Sequence, residues 1–428
     1  MQLISRPLLV LMTGITLIAL IGTVSAQVQP DPPLRWFKGN THTHTWWSDG
    51  DSPPETAVAW YKEHGYNFLV LSDHNILSEG EKWVAVDKGG RVTAAETYEK
   101  TFGPHWVEKR ERDGKTEYRL KTLTEFRALF EEAGKFLLIQ GEEISDSFEK
   151  KPVHVNGINL KEVIKPPGGA TMFDTMQNNI NAVLEQQKRT GQPMFPHLNH
   201  PNFHWANPVE DIMRLRGERF FEAYNGHPSV NNYGDAERLS TERMWDIILT
   251  HRISELGLPM MLGLATDDAH GYTKWGTGTA NPGRGWVVVR SRYLTPTHIV
   301  EAMERGDFYA STGVELEDVT FQNETLSIRI RARSGETYKT QFIGTLEDYK
   351  DQPAGEERPG DRYSPHIGKV LAESAGTSAS YTMTGRELYV RAKVISSAPH
   401  PNPYKAGDPQ VAWVQPVQPK ARVSTAQK

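Results

Sequence analysis

Between Gly39 and Ser52 the chain reads GNTHTHTWWSDGDS, and its His42 and His44 open a series of ionisable residues spaced for metal chemistry. Side chains two apart on a strand point to the same side, so His42 and His44 can grip one ion while Thr43 faces away. Asp49 follows in the same stretch. Further on come Asp73 and His74 in LSDHN, Glu142 and Glu143 in GEEIS, His154 in HVNGI, His197 and His200 in HLNH, and Asp267, Asp268 and His270 in TDDAH. The sequence has no cysteine, so any metal must be held by His, Asp, Glu and water, a donor set suited to Zn, Mn or Fe. A carboxylate between two cations can bridge them, and such ions bring the pKa of a bound water toward about 7, giving a metal-activated hydroxide at neutral pH. Buried together without metal, so many acids and bases would carry a heavy desolvation cost.

The elements that must position these residues show in the apolar pattern. From Trp36 to about Gly313, short apolar runs alternate with helical patterns, the βαβα rhythm of an α/β fold. Candidate strands run into the polar clusters: NFLVLSDH, KFLLIQGEE, PVHVNGINL, PMFPHLNH and PMMLGLATDDAH. In such folds the carboxyl ends of the strands open on one face, so the clusters are expected to converge there. Between the strands, SPPETAVAWYKEHG opens with an early Pro and closes with Gly65, and TLTEFRALFEEAG offers Thr124 near its start and Gly134 at its end.

Residues 78–121 form a charged excursion, a candidate lid. After about Ser311 the pattern turns to period two, as in TLSIRIRARS and ELYVRAKVISS, which predicts a small β-rich domain over 314–416 and a flexible tail over 417–428. The first 26 residues carry Arg6, an apolar run and Val24-Ser25-Ala26, read as a removed export signal that leaves no stable membrane span and places the mature chain in the periplasm or outside the cell. A retained anchor is the competing reading of that run. A net charge of −5 with both signs interspersed gives no basic stripe, which argues against a nucleic-acid partner. No heptad pattern addresses the oligomeric state.

In THTHTWWSDG, LSDHN, GEEIS, HVNGI, NHPN and TDDAH, in that order, the sequence resembles the PHP (polymerase and histidinol phosphatase) family of metal-dependent phosphoesterases, and within it the exported branch that includes the carbaryl hydrolase type. The resemblance spans Trp36 to Gly313 and implies a distorted (β/α)7 barrel holding two or three divalent ions. It implies that His42, His44, Glu143 and Asp268 bind a first ion, that Glu143 bridges to a second held by His154 and His200, and that Asp49, His74 and His270 bind a third. Glu142 adjoins Glu143, and neighbours on a strand face opposite ways, so only one can enter the site. The family pattern G-x-E selects Glu143, and D-x-H selects Asp268 over Asp267.

Around these ligands, His197 is assigned a place beside them or against the substrate. Asp73 is expected either to orient a metal-binding histidine or to cap a turn beside Ser72, and Arg284 either to grip an anionic substrate or to form a surface ion pair. Trp46 and Trp47, with His204 and Trp205, either wall the pocket or pack at its rim. His227 and His400 are among the histidines read as ordinary. The expectation is an exported multinuclear metal-dependent hydrolase of a small-molecule ester, a phosphoester in first place. The alternatives are a carboxyl or carbamate ester on the same site, or a non-catalytic metal- or ligand-binding protein. An amidohydrolase also begins with H-x-H, but the third motif here is Gly-x-Glu and not a lysine suited to carboxylation.

Overall fold

The computed structural model describes residues 31–87, 90–350 and 362–420, so the expected export signal and the end of the tail lie outside the described residues. Leu34–Lys428 form one compact unit. In chain order it begins β1 (Arg35–Asn40), α1 (Pro54–Glu63), β2 (Phe68–Leu71), then the excursion β3 (Trp83–Ala85), α2 (Gly90–Phe102), β4 (Lys109–Arg112) and β5 (Lys115–Arg119). There follow α3 (Leu123–Phe130), β6 (Leu137–Phe148), β7 (Lys151–Ile158), α4 (Met172–Thr190), β8 (Phe195–Leu198), α5 (Val209–Ile212), β9 (Phe220–Asn225), α6 (Thr241–Ser254) and β10 (Leu262–Thr266). The chain closes with β11 (Trp286–Ser291), α7 (Pro296–Arg305), β12 (Phe308–Ser311), β13 (Leu316–Gln322), β14 (Thr325–Ile330), β15 (Tyr338–Leu346), β16 (Lys369–Ala375), β17 (Ser378–Thr382), β18 (Glu387–Pro399) and β19 (Pro409–Val417).

Local chemistry sets the helix ends. Pro occupies the first turn of α1, where a missing N–H costs nothing. Thr122, not Thr124, caps α3: it forms a capping box in which its hydroxyl accepts from Glu125 N and the Glu125 carboxylate accepts from Thr122 N at 2.8 Å. The helix also stops before Gly134, at Phe130. α4 begins at the Thr171 cap and ends at Gly191, whose φ of 67° is a left-handed conformation that favours glycine.

The strands build a mixed sheet of 13 in the order β10-β9-β8-β7-β6-β2-β1-β11-β12-β19-β18-β15-β16. β1, β2 and β6 run parallel, as do β8, β9 and β10, while β7 is antiparallel to both β6 and β8. Gly39 lets β2 approach: a Cβ there would lie 2.2 Å from the Phe68 ring.

The expected (β/α)7 barrel does not close as a ladder. β11 takes the free edge of β1, pairing antiparallel from Arg35 to Gly39, so β10 cannot ladder along it. The chain beyond β10 returns to the chain beyond β1 through one parallel bridge, Thr43 to Ala269, with His44 N donating to Ala269 O at 2.9 Å and Asp268 N to His42 O at 3.1 Å. The β-rich C-terminal region continues the same sheet through β12, and β13-β14-β17 form a second sheet facing it across a core that includes Leu316, Ile328, Phe342 and Val394. The excursion folds as β3-β5-β4 with α2 around a core that contains Trp46 and Trp47. Buried Glu55 of α1 accepts from Tyr98 Oη at 2.8 Å and Trp106 Nε1 at 2.7 Å, pinning the excursion to the main body. Among the described residues no helix is long and apolar enough to cross a membrane.

Candidate metal centre

The strand order carries the polar motifs to one place. His42 and His44 follow β1, His74 follows β2 and extends the parallel pairing by a bridge to Glu143, and Glu143 and His154 lie across the β6–β7 hairpin. His200 follows β8, and Asp268 and His270 follow β10. His200 and Asp268 both have positive φ, 20° and 50°, a conformation that non-glycine residues adopt at a cost and that clusters at functional sites.

These side chains form overlapping groups whose nitrogen and carboxylate atoms lie within 4.8 Å of one another: His42, His44 and Glu143; His42, His200 and Asp268; His74, Glu143 and His154; and His44, Asp49, His74 and His270. Asp268 Oδ1 is 3.2 Å from Nε2 of both His42 and His44. Glu143 Oε1 lies 3.3 Å from His42 Nε2, 3.0 Å from His154 Nδ1 and 3.2 Å from His200 Nε2. Asp49 Oδ1 is 3.5 Å from His74 Nε2 and 3.3 Å from His270 Nε2. The first group is buried, whereas Asp49 is 58 % exposed and His74 27 %, so the cluster opens to solvent on the Asp49 side.

The donor set fits cations. His42 Nδ1 lies 2.8 Å from Glu222, an arrangement that assigns the proton to Nδ1 and turns the Nε2 lone pair toward Glu143 and Asp268. Likewise His270 Nδ1 donates to the Asp268 carbonyl at 2.9 Å and turns Nε2 toward Asp49. Lone pairs thus face carboxylate oxygens, and His42 Nε2 and His44 Nε2 are buried without a hydrogen bond. Divalent ions relieve that arrangement, while protonation relieves it only in part. Without a cation, burial opposes charge on His42 and His74, but the surrounding carboxylates win: His42 is raised well above its ordinary value and His74 to about 11. Burial and the neighbouring histidines push His44 down to about 3. The carboxyls of Glu143 and Asp268 fall well below the usual range because surrounding histidines overcome burial.

Adjacent acids face opposite ways. Glu142 turns from the cluster to accept from Ile164 N at 2.5 Å, and burial raises it to about 8. Asp267 accepts from Tyr61 Oη at 2.8 Å and from Gly283, Arg284 and Gly285 N.

The residues expected around the ligands are placed differently. The Asp73 carboxylate bonds to a loop and not to a histidine ring. It accepts from Thr45 N and Oγ1 at 2.8 and 2.9 Å and from Ser48 Oγ at 2.6 Å, and reaches His44 only through Ser48, 3.4 Å from Nδ1. Arg284 is buried and directs its guanidinium to the carbonyls of Gly226, Gly276 and Asn402, tying three loops instead of offering a fork to an anion. His197 lies within β8 beside the cluster, 4.0 Å from Glu222, 6.3 Å from His42 between ring centres and fully buried, where burial pushes it to about 4, which fits the reading beside the ligands. Trp46 and Trp47 are core residues of the excursion. In the loop after His200 it is Phe203 that meets the ligand histidines, 5.0 Å from His200 between ring centres, while Trp205 lies under Arg238.

Two residues beside the cluster were missed. Glu222 holds His42 with Oε1 and His200 N with Oε2 at 2.6 Å; its only signal was a lone carboxylate in the apolar run FFEAYN. His227, read as ordinary, stands 5.2 Å from His270 between ring centres and accepts from Ser229 N at Nδ1, which leaves Nε2–H as its donor.

No protein-family model matches the chain, and no curated protein matches it in sequence. Among solved structures it is similar to a two-domain protein from Bacteroides vulgatus described as containing a predicted PHP-like metal-dependent phosphoesterase, with 15 % identity, 90 % of this chain and 97 % of that one covered, and a TM-score of 0.38. It is also similar to a proposed metal-dependent phosphoesterase from Bifidobacterium adolescentis, with 13 % identity, 57 % and 91 % covered, and a TM-score of 0.28. The chemical reading rests on the side chains themselves.

Proposed function

We propose that this protein is a multinuclear divalent-metal hydrolase of PHP type acting on a small-molecule phosphoester. The observation that carries the reading is the convergence of His42, His44, Asp49, His74, Glu143, His154, His200, Asp268 and His270 into overlapping groups whose buried lone pairs face one another. Ions bound there would supply Lewis acidity and lower the pKa of water toward about 7. Glu143 stands between the histidines after β1 and those of β7 and β8, and Glu222 fixes the face that His42 presents. Substrate enters on the exposed Asp49, His74 and His270 side, where His227 Nε2–H can donate to a substrate oxygen and Phe203 walls the approach. The seven neighbouring strands from β10 to β1, with their single return bridge, support a distorted PHP-type barrel opened by β11. Export to the periplasm or beyond is supported by the leader sequence alone.

Turnover of bis(p-nitrophenyl) phosphate, p-nitrophenyl phosphate and p-nitrophenyl acetate, with metal content counted, tests this reading. Metal-dependent release from a phosphate ester, lost in Asp268→Ala, is the expected result. Release from acetate alone would assign a carboxyl or carbamate ester, and bound metal without turnover of any ester would assign a binding protein.

A further inference from the structure

Lys38 lies four residues before His42 on β1, about 13 Å away along the strand at roughly 3.3 Å per residue, and serves no part of the metal centre. Its Nζ sits between two aromatic faces, 3.8 Å from the centre of the Tyr66 ring and 4.0 Å from that of Trp286. Among the described residues no carboxylate lies within ion-pair distance of it. Asp267 and Glu315 act on it only from farther off. A half-buried ammonium without a counter-ion is uncommon, because burial disfavours the charge unless a partner offsets it. Burial accordingly lowers Lys38 to about 8, so that much of it is still protonated at neutral pH.

The ammonium borders a cavity of about 460 Å³ between the first strands and the β-rich region. Trp36 and Trp286 give it flat apolar walls, and Arg331 and Arg333 also line it. Glu315 is the one carboxylate among its lining residues, and it is shared by both guanidiniums, 2.7 Å from Arg333 Nη2 and 3.7 Å from Arg331 Nη1. Three cations therefore line the space against one acid that is already engaged. The volume falls in the range of small-ligand sites, and the lining combines apolar walls with a few charged groups, as such sites do.

We propose that this cavity is a second binding site, which takes a small organic anion carrying its carboxylate or phosphate on a flat ring, with the anion on Lys38 and the ring against Trp286. The metal centre is not required for it. Recognition by one unpaired ammonium inside aromatic walls selects charge and flatness together.

The test is isothermal titration calorimetry of the full chain with benzoate, phenyl phosphate and neutral benzyl alcohol. Asp268→Ala, Lys38→Met and Arg331→Gln are titrated alongside. Saturable binding of benzoate, phenyl phosphate or both, kept in Asp268→Ala and weakened about tenfold or more in Lys38→Met, is the expected result, since a desolvated charge partner is lost. Which anion binds more tightly separates a carboxylate ligand from a phosphate one. Arg331 is 63 % exposed, so its replacement leaves the fold intact and should weaken binding by about threefold. Three results would overturn the proposal: no saturable binding of either anion up to about 10 mM, equal binding by Lys38→Met and the parent chain, or benzyl alcohol binding as well as the anions.

Discussion

Around Asp246 the chain buries Arg391, whose Nε and Nη2 meet the two carboxylate oxygens at 2.8 and 2.7 Å, while Tyr389 donates its hydroxyl at 2.8 Å and Lys393 pairs with Glu242 nearby. Around Glu143 it buries a comparable density of charge, and Glu143 Oε1 meets Asn199, His154 and His200 in hydrogen bonds, but His42 Nε2 and His44 Nε2 face the Glu143 and Asp268 oxygens at 3.2 to 3.5 Å without closing one. In the first cluster each acid meets a donor, and the cluster holds α6 to the β-rich strands. In the second, the unpartnered nitrogens of His42 and His44 are turned toward carboxylate oxygens, an arrangement that cations between them would relieve. Burial and charge together do not mark a functional site; the orientation of the lone pairs does.

The largest difference should appear when each cluster loses its central acid. Asp268→Ala is expected to lower metal content and to reduce phosphodiester hydrolysis by about a thousandfold or more. Urea unfolding of the chelated protein should shift far less. Asp246→Ala should do the reverse, costing about 3 to 5 kcal/mol in urea unfolding because Arg391 is left buried and unpaired, while metal content stays unchanged. Were both variants to lose metal equally, the contrast between the clusters would collapse.

A smaller effect follows from the orienting carboxylate. Glu222→Gln keeps the shape but weakens the acceptor for His42 Nδ1, and metal affinity measured by competition with a chelator should fall by about ten- to a hundredfold. Unchanged affinity would remove Glu222 from the centre. The smallest effect concerns an isolated buried histidine, His400, which burial and Arg284 hold at about 4. The unfolded chain takes up that proton near pH 6.5, so between pH 6.5 and 4 the unfolded state binds more protons and stability falls with pH. His400→Gln lacks this loss, and it should gain on the parent chain in urea unfolding as pH drops from 7 to 5. A constant difference between the two would contradict the assignment.

Much of the metal centre was legible because its ligands sit at short fixed spacings at strand ends. Alternation lets only one of Glu142 and Glu143, and one of Asp267 and Asp268, face inward, and the resemblance supplied which: Glu142 and Asp267 turn away. Glu222 and His227 were not legible, since each stands alone in the sequence, with His42 lying 180 residues from Glu222 and the partner of His227 coming from another loop. For Asp73 the second of the two readings fits, since it accepts from a loop backbone and its hydroxyls, whereas Arg284 meets neither an anion nor a surface acid because its partners are carbonyls, which leave no mark in residue type. Barrel closure failed as an expectation because nothing in the sequence of β11 announces that it will take the edge of β1. The β-rich region was legible as strands, but its continuity with the main sheet depends on the pairing of β12 with β19, about a hundred residues apart in sequence.

The central claim is that the unpartnered nitrogens of His42 and His44 face carboxylate oxygens because divalent cations belong between them. The most direct measurement is the metal content of the purified protein by mass spectrometry, after equilibration with manganese or zinc and removal of free ions. About two to three ions per chain, falling in Asp268→Ala and unchanged in Asp246→Ala, is the predicted result. Less than one ion per chain in the parent protein at saturation would contradict it.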